Sequence, residues 1–118
     1  MCIRDSLRAV DELVNRMASD AEVIWFGHIG DGNVHLNILR PTDQPIAAFK
    51  AACEPLGDAI MSVVQEFNGS VSAEHGVGLL KKRYLQYTRS SAEIDQIKVL
   101  KQALDPMGVM NPGKILDL

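Results

Sequence analysis

Apolar side chains first recur at helical spacing in Leu7, Val10, Leu13, Val14 and Met17, with Asp5 or Ser6 placed to cap the start. That pattern predicts an amphipathic helix over residues 6–19. The period then shortens to that of a strand. Residues 23–29 and 34–39 read as two strands around Gly30-Asp31-Gly32-Asn33. Asp-Gly between two such runs signals a tight hairpin, because a type I′ turn needs positive φ at both central residues. Pro41 and Pro45 close the second strand. Helical spacing resumes at Ile46, Phe49, Cys53, Leu56, Ile60, Val63, Val64 and Phe67, in a long helix kinked or restarted at Pro55. It ends at Asn68-Gly69, with Gly69 expected in the left-handed position.

Residues 70–73 are short and extended, leading into Glu74-His75-Gly76-Val77-Gly78. Residues 79–88 and 91–104 are helical in pattern. Ser90 or Ser91 caps the second of these helices, and Asp105-Pro106 stops it. The tail carries a turn at Asn111-Pro112-Gly113-Lys114. This order predicts an α+β architecture, an antiparallel sheet with helices packed on one face. Two strands alone make a poor sheet, so further strands are expected to precede residue 1 and the chain reads as a fragment. Residues 1–6 carry no pattern that joins the following helix and are set aside as an assembly scar, leaving 7–118 as the domain portion.

Composition narrows the classes without choosing among them. Of the 118 residues 47% are apolar and 23% charged, an ordinary balance for a globular chain. The net charge of -3, with both signs interspersed, gives no nucleic-acid footprint. No apolar run approaches the ~18 residues of a membrane span, and the N-terminus lacks the apolar core of a secretory signal. Cys2 and Cys53 are too few and too far apart for a disulfide framework or metal knuckle. A reducing, cytoplasmic compartment is the resulting expectation.

Chemistry concentrates on one face of the hairpin. With Asp31 and Gly32 as the two loop residues, His28 lies directly opposite His35, and Asn37 projects from the same side. Val23, Trp25, Ile29, Val34, Leu36 and Ile38 collect on the other side as a core surface. A one-residue slip would destroy this segregation. Glu74 and His75 add a carboxylate and a third imidazole from a glycine-flanked loop. Two histidines and a glutamate on one ion leave a coordination position open, as in a catalytic zinc site. Such an ion could hold a hydroxy acid and lower the pKa of its hydroxyl, leaving His75 free as proton acceptor. On spacing alone a second reading stands beside this one. The histidines could be ordinary hydrogen-bonded residues, Glu74 a cap or ion-pair partner, and the glycines and Asn111-Pro112-Gly113 plain turns.

Three stretches together resemble one family: GHIGDGNVHLNIL at 27–39, SAEHGVGLLKKRYL at 72–85 and LKQALDPMGVMNPGKIL at 100–116. The family is the C-terminal domain of FAD-linked oxidases of the vanillyl-alcohol-oxidase type. It includes D-lactate dehydrogenase, the glycolate oxidase flavoprotein subunit and D-2-hydroxyglutarate dehydrogenase. The resemblance implies a partial substrate (cap) domain, with His28, His35 and Glu74 as ligands of a divalent metal, usually zinc. It implies substrate contacts from Asn37 and His75, with His75 as the base, and a flavin contact from Asn111. The implied reaction oxidises a small D-2-hydroxy acid to the 2-oxo acid, with FAD held mainly by an upstream domain and reoxidised by an electron acceptor. It further implies that the fragment alone is inactive and exposes apolar surface. Assembly as a homo-oligomer and peripheral membrane association through partners stay open. A non-catalytic metal-binding or regulatory α+β module is the alternative.

Overall fold

A computed structural model of the chain describes residues 3–28 and 30–118. The order is α1 (Ile3–Met17), β1 (Val23–His28), β2 (Asn33–Ile38), α2 (Ile46–Glu66), a 3₁₀ turn (Lys82–Tyr84), α3 (Leu85–Thr88) and α4 (Ser91–Leu104). The strands form a two-stranded antiparallel sheet. This is a small α+β unit with helices against one sheet face, as expected. Helix α1 begins at Ile3, so residues 3–6 continue it rather than standing apart.

The core explains the packing. Val10, Leu13 and Val14 of α1 bury against Leu56 of α2, and Val23, Trp25, Leu36 and Ile38 of the hairpin close over them. These are the alternate strand positions that the period of two assigns to one face; Ile29, expected beside them, lies outside the described residues. Helix α2 runs through Pro55 without a break in assignment. At its end the left-handed residue is Asn68 (φ 52°) instead of Gly69. Asn68 and Gly69 return their N–H groups to the carbonyls of Gln65 and Val64 at 2.9 and 2.7 Å. Asparagine is the commonest substitute for glycine in that conformation, so the motif forms one residue earlier than expected.

The hairpin also departs from expectation. The observed register pairs His28 with Asn33, Gly27 with Val34 and Phe26 with His35. The connection is therefore longer than a two-residue I′ turn, and His28 and His35 are diagonal neighbours instead of direct partners. The Asp31 carboxylate accepts the Asn33 N–H at 3.1 Å, an Asx turn that competes with the tight-turn backbone bond. Of Gly30 and Gly32 only Gly32 takes positive φ (72°). The register moves by two residues, an even number, so every side chain keeps its predicted face.

Little of the chain is deeply buried. Among the described residues Leu80, Leu104 and Met107 are 91%, 79% and 82% exposed. The radius of gyration is 16.5 Å, against about 13 Å for a compact chain of this length. Residues 79–88, expected to be one helix, instead form turns, the 3₁₀ turn and the short α3. Helix α4 matches expectation, with Ser90 as N-cap in a reciprocal capping box with Glu93. Its end is held by the buried Asp105, which accepts the N–H groups of Val109 and Met110 at 2.9 Å each and pairs with Lys101.

Candidate metal and substrate site

The hairpin face turned away from the core carries Ile24, Phe26 and His28 on β1 and Asn33, His35 and Asn37 on β2. Glu74 and His75 reach this face from the loop after α2. That loop is anchored on both sides. Upstream, Val71 is buried and donates its N–H to Thr88 Oγ1 at 3.1 Å. Downstream, the Gly78 carbonyl accepts the Ile115 N–H at 2.8 Å. Between these anchors Gly76 and Gly78 hold φ of 76° and 55°, conformations that cost other residues more. Tyr84 fixes the next segment to α2, its hydroxyl donating to Asp58 Oδ1 at 2.5 Å.

Glu74 is the hub. Its Oε1 lies 3.0 Å from His35 Nε2 and 3.1 Å from His75 Nε2, and its Oε2 lies 3.6 Å from His28 Nε2. His28, His35 and Glu74 each offer a ligand atom, all within 4.8 Å of one another. A tetrahedral ion with bonds of about 2.0–2.1 Å spaces its ligand atoms roughly 3.3 Å apart. The two histidine–Glu74 separations already bracket that value, and the donor types suit a borderline ion. His75 stands at the solvent side, 86% exposed against 23% for His35. The His35 ring is stacked on Phe26 with centroids 4.7 Å apart and planes 8° from parallel. That contact fixes the imidazole plane.

Beside this cluster lies a cavity of about 450 Å³, lined among others by His35, Asn37, Glu74, His75, Cys53 and Lys81. Asn37 and His75 thus border one space. Burial pushes the Cys53 thiol up, which favours the neutral form over the thiolate. Cys2 lies outside the described residues. Asn111 is exposed in a turn with φ 47°. Its segment meets the site loop at the Ile115–Gly78 bond, and just beyond that loop Lys82 reaches the Gly113 carbonyl at 3.2 Å.

Two residues at the site were not singled out by sequence. Phe26 was legible by alternation, since it shares the face of His28. Lys81 lies in a Lys81-Lys82-Arg83 run whose other members are engaged elsewhere. Lys82 pairs with Asp117 at 2.7 Å and Arg83 with Asp58 at 2.8 Å, while Lys81 borders the cavity. Nothing in the run itself separates the three.

With a carboxylate and three imidazoles gathered beside a cavity, comparison with known proteins decides the family. The model of the C-terminal domain of FAD-linked oxidases matches residues 2–115. The chain belongs to that family. It is 50% identical over 109 residues to a D-2-hydroxyglutarate dehydrogenase of Stutzerimonas stutzeri, covering 92% of this chain and 24% of that protein. A D-2-hydroxyglutarate dehydrogenase of Xanthomonas citri pv. viticola is 45% identical over 111 residues, 94% of this chain and 24% of its own length. A Schizosaccharomyces pombe protein named as a mitochondrial D-lactate dehydrogenase is 44% identical over 94 residues, 79% of this chain and 17% of its own. The chain therefore spans about a quarter of the length of the bacterial relatives. Among the described residues no helix is long and apolar enough to cross a membrane.

Proposed function

We propose that this chain supplies the metal and substrate half-site of an FAD-dependent D-2-hydroxy acid dehydrogenase, with D-2-hydroxyglutarate as the leading substrate. The observation that carries the reading is the convergence of His28, His35 and Glu74 within 4.8 Å, beside a cavity bordered by Asn37 and His75. The names of the bacterial relatives support the choice of substrate.

In this reading His28, His35 and Glu74 hold a divalent ion, zinc being the best match to two imidazoles and one carboxylate. When bound, the ion supplies a Lewis acid for the hydroxyl oxygen and the flavin a hydride acceptor for C2. The chain's own residues do the rest. Asn37 offers an amide to orient the hydroxy acid in the cavity. His75 takes the hydroxyl proton on a ring nitrogen, so that loss of the C2 hydride gives the 2-oxo acid. Asn111 lies in a segment tied to the site loop and is assigned a contact with the flavin or its domain. The exposed apolar residues around α4 and the tail are surface that the flavin-bearing part covers.

The test is anaerobic reduction of the complete gene product, loaded with FAD and zinc, by D-2-hydroxyglutarate and D-lactate. Bleaching of the flavin by either acid, together with one bound metal per chain, is expected. Stoichiometric metal without bleaching by any 2-hydroxy acid would leave a binding module and overturn the catalytic reading.

A further inference from the structure

Among the described residues of the hairpin's chemical face, Asn33 is the buried one whose polar side chain is unaccounted for. It is 8% exposed, and among the described residues neither its Oδ1 nor its Nδ2 has a hydrogen-bond partner. Its main chain takes part in shaping the hairpin. The N–H goes to Asp31, and the carbonyl oxygen sits so close to Gly27 that a Cβ there would lie 2.1 Å from it. Folding therefore explains the backbone at this position but not the carboxamide. A buried amide with both polar atoms unmet opposes folding, and an apolar residue of the same size would avoid that penalty.

The register places Asn33 beside His28. Asn33 is the direct cross-strand partner of His28, a relationship that brings Cβ atoms to about 4.5–5.5 Å. Both residues also line the same groove beside α1. His28 turns Nε2 toward Glu74, which leaves Nδ1 as the nitrogen that carries the proton when Nε2 binds an ion. A metal-bound imidazole needs an acceptor for that N–H to fix its tautomer and ring orientation. His35 has Phe26 stacked on its ring. His28 is 62% exposed, and its ring meets only the His35 ring among the described aromatic contacts, edge-on with centroids 6.1 Å apart.

We propose that Asn33 is the positioning residue for His28: its Oδ1 accepts the His28 Nδ1–H when the site is loaded. Rotation of the Asn33 amide about χ2, a broad torsion, presents the oxygen without backbone movement. The inference rests on the metal reading above and deepens it. The unmet amide is then a preformed acceptor for the loaded site, kept at some expense to folding stability.

The opposing directions of these two effects make a sharp test. In the complete gene product, zinc affinity is measured by chelator competition for the unmodified protein, Asn33→Leu and Asn33→Asp, alongside the thermal midpoint of each zinc-free form. Leucine removes the acceptor at similar volume; zinc affinity is expected to fall about 10–100-fold, with a zinc-free midpoint unchanged or raised. Aspartate keeps an acceptor and is expected to retain or tighten zinc binding. Equal zinc affinity in Asn33→Leu and the unmodified protein overturns the proposal and leaves the metal site standing. A lowered zinc-free midpoint with zinc loss in both variants also overturns it, by making Asn33 a structural residue. Absence of stoichiometric zinc in the unmodified protein overturns the metal reading itself.

Discussion

Glu74 Oε1 lies 3.0 Å from His35 Nε2, joining a loop that follows α2 to the face of a hairpin formed well before it in the chain. A carboxylate accepting from an imidazole this closely is a charge-assisted contact when the histidine is protonated. With neutral imidazoles the same atoms form a donor set suited to a divalent cation. The same carboxylate touches His28 and His75, so its charge organises all three rings.

Replacing that charge tests the arrangement directly. Glu74→Gln keeps the size and one carbonyl oxygen but removes the negative charge that offsets a divalent ion. Metal affinity in the complete gene product is expected to fall more than about a hundredfold, beyond the loss typical of an outer-shell partner. Metal content by mass spectrometry after dialysis checks this. Full retention in the glutamine variant would remove Glu74 from the ligand set.

His75→Gln separates holding the ion from moving the proton. His75 contacts Glu74 but stands outside the trio within mutual ligand distance, so metal content is expected to be unchanged. Flavin reduction by the hydroxy acid is expected to slow by about 10²–10⁴-fold, the usual worth of a positioned general base. Stopped-flow bleaching gives the rate directly, and a rate near that of the unmodified protein would assign the proton to another group.

Much of this was legible in the sequence because two periods and a parity rule decide it. The alternation that sends Val23, Trp25, Leu36 and Ile38 to the core forces His28, His35 and Asn37 to the other side. That conclusion survived the longer hairpin loop because the register moved by two residues. The loop itself was misread because Asp31 carries a side-chain acceptor that takes the Asn33 N–H, a competition that a turn dipeptide does not display. The approach of Glu74 to the hairpin was not derivable from spacing, because the contact is long-range and is fixed by Val71, Thr88, Gly78 and Ile115. Residue types made Glu74 a candidate partner of the two histidines, and the family resemblance favoured it over a cap or ion-pair role. Lys81 was hidden for a related reason: only the fold shows that Lys82 and Arg83 are engaged elsewhere.

Gly27 is predicted to be intolerant even of alanine. A Cβ at this position would meet the Asn33 carbonyl oxygen at 2.1 Å and the Val34 Cα at 3.0 Å. Both are backbone atoms of the paired strand, so the contact is relieved only by spreading the hairpin between His28 and His35. Gly27→Ala is expected to destabilise the fold by about 1–3 kcal/mol, the range for overpacking, and to weaken metal binding by moving the two histidines apart. Denaturant unfolding with and without zinc reads both effects. Stability and zinc affinity like those of the unmodified protein would show that the strands approach less closely than this.

Asp105 governs the tail that returns to the site loop. Its carboxylate is 4% exposed and accepts from Val109 N–H, Met110 N–H and Lys101. The hydrogen bond from Lys101, reinforced by the two backbone N–H groups, holds its carboxyl below the usual carboxylate range despite the opposing effect of desolvation. A carboxyl whose folded value lies below the unfolded one, about 3.9, contributes its full stabilisation above that unfolded value. The contribution is lost as pH falls through the lower folded value. Hydrogen exchange over residues 105–110, corrected for the intrinsic rate, is therefore expected to stay slow from neutral pH down to about 4 and to rise only in stronger acid. Asp105→Asn keeps one acceptor oxygen but loses the charge facing Lys101, so the same segment is expected to exchange faster already at neutral pH. Because Ile115 bonds to Gly78, loosening the tail should extend to the loop that carries Glu74 and His75. Faster exchange confined to residues 105–110, with residues 74–78 unchanged, would show that the tail and the site loop are held independently.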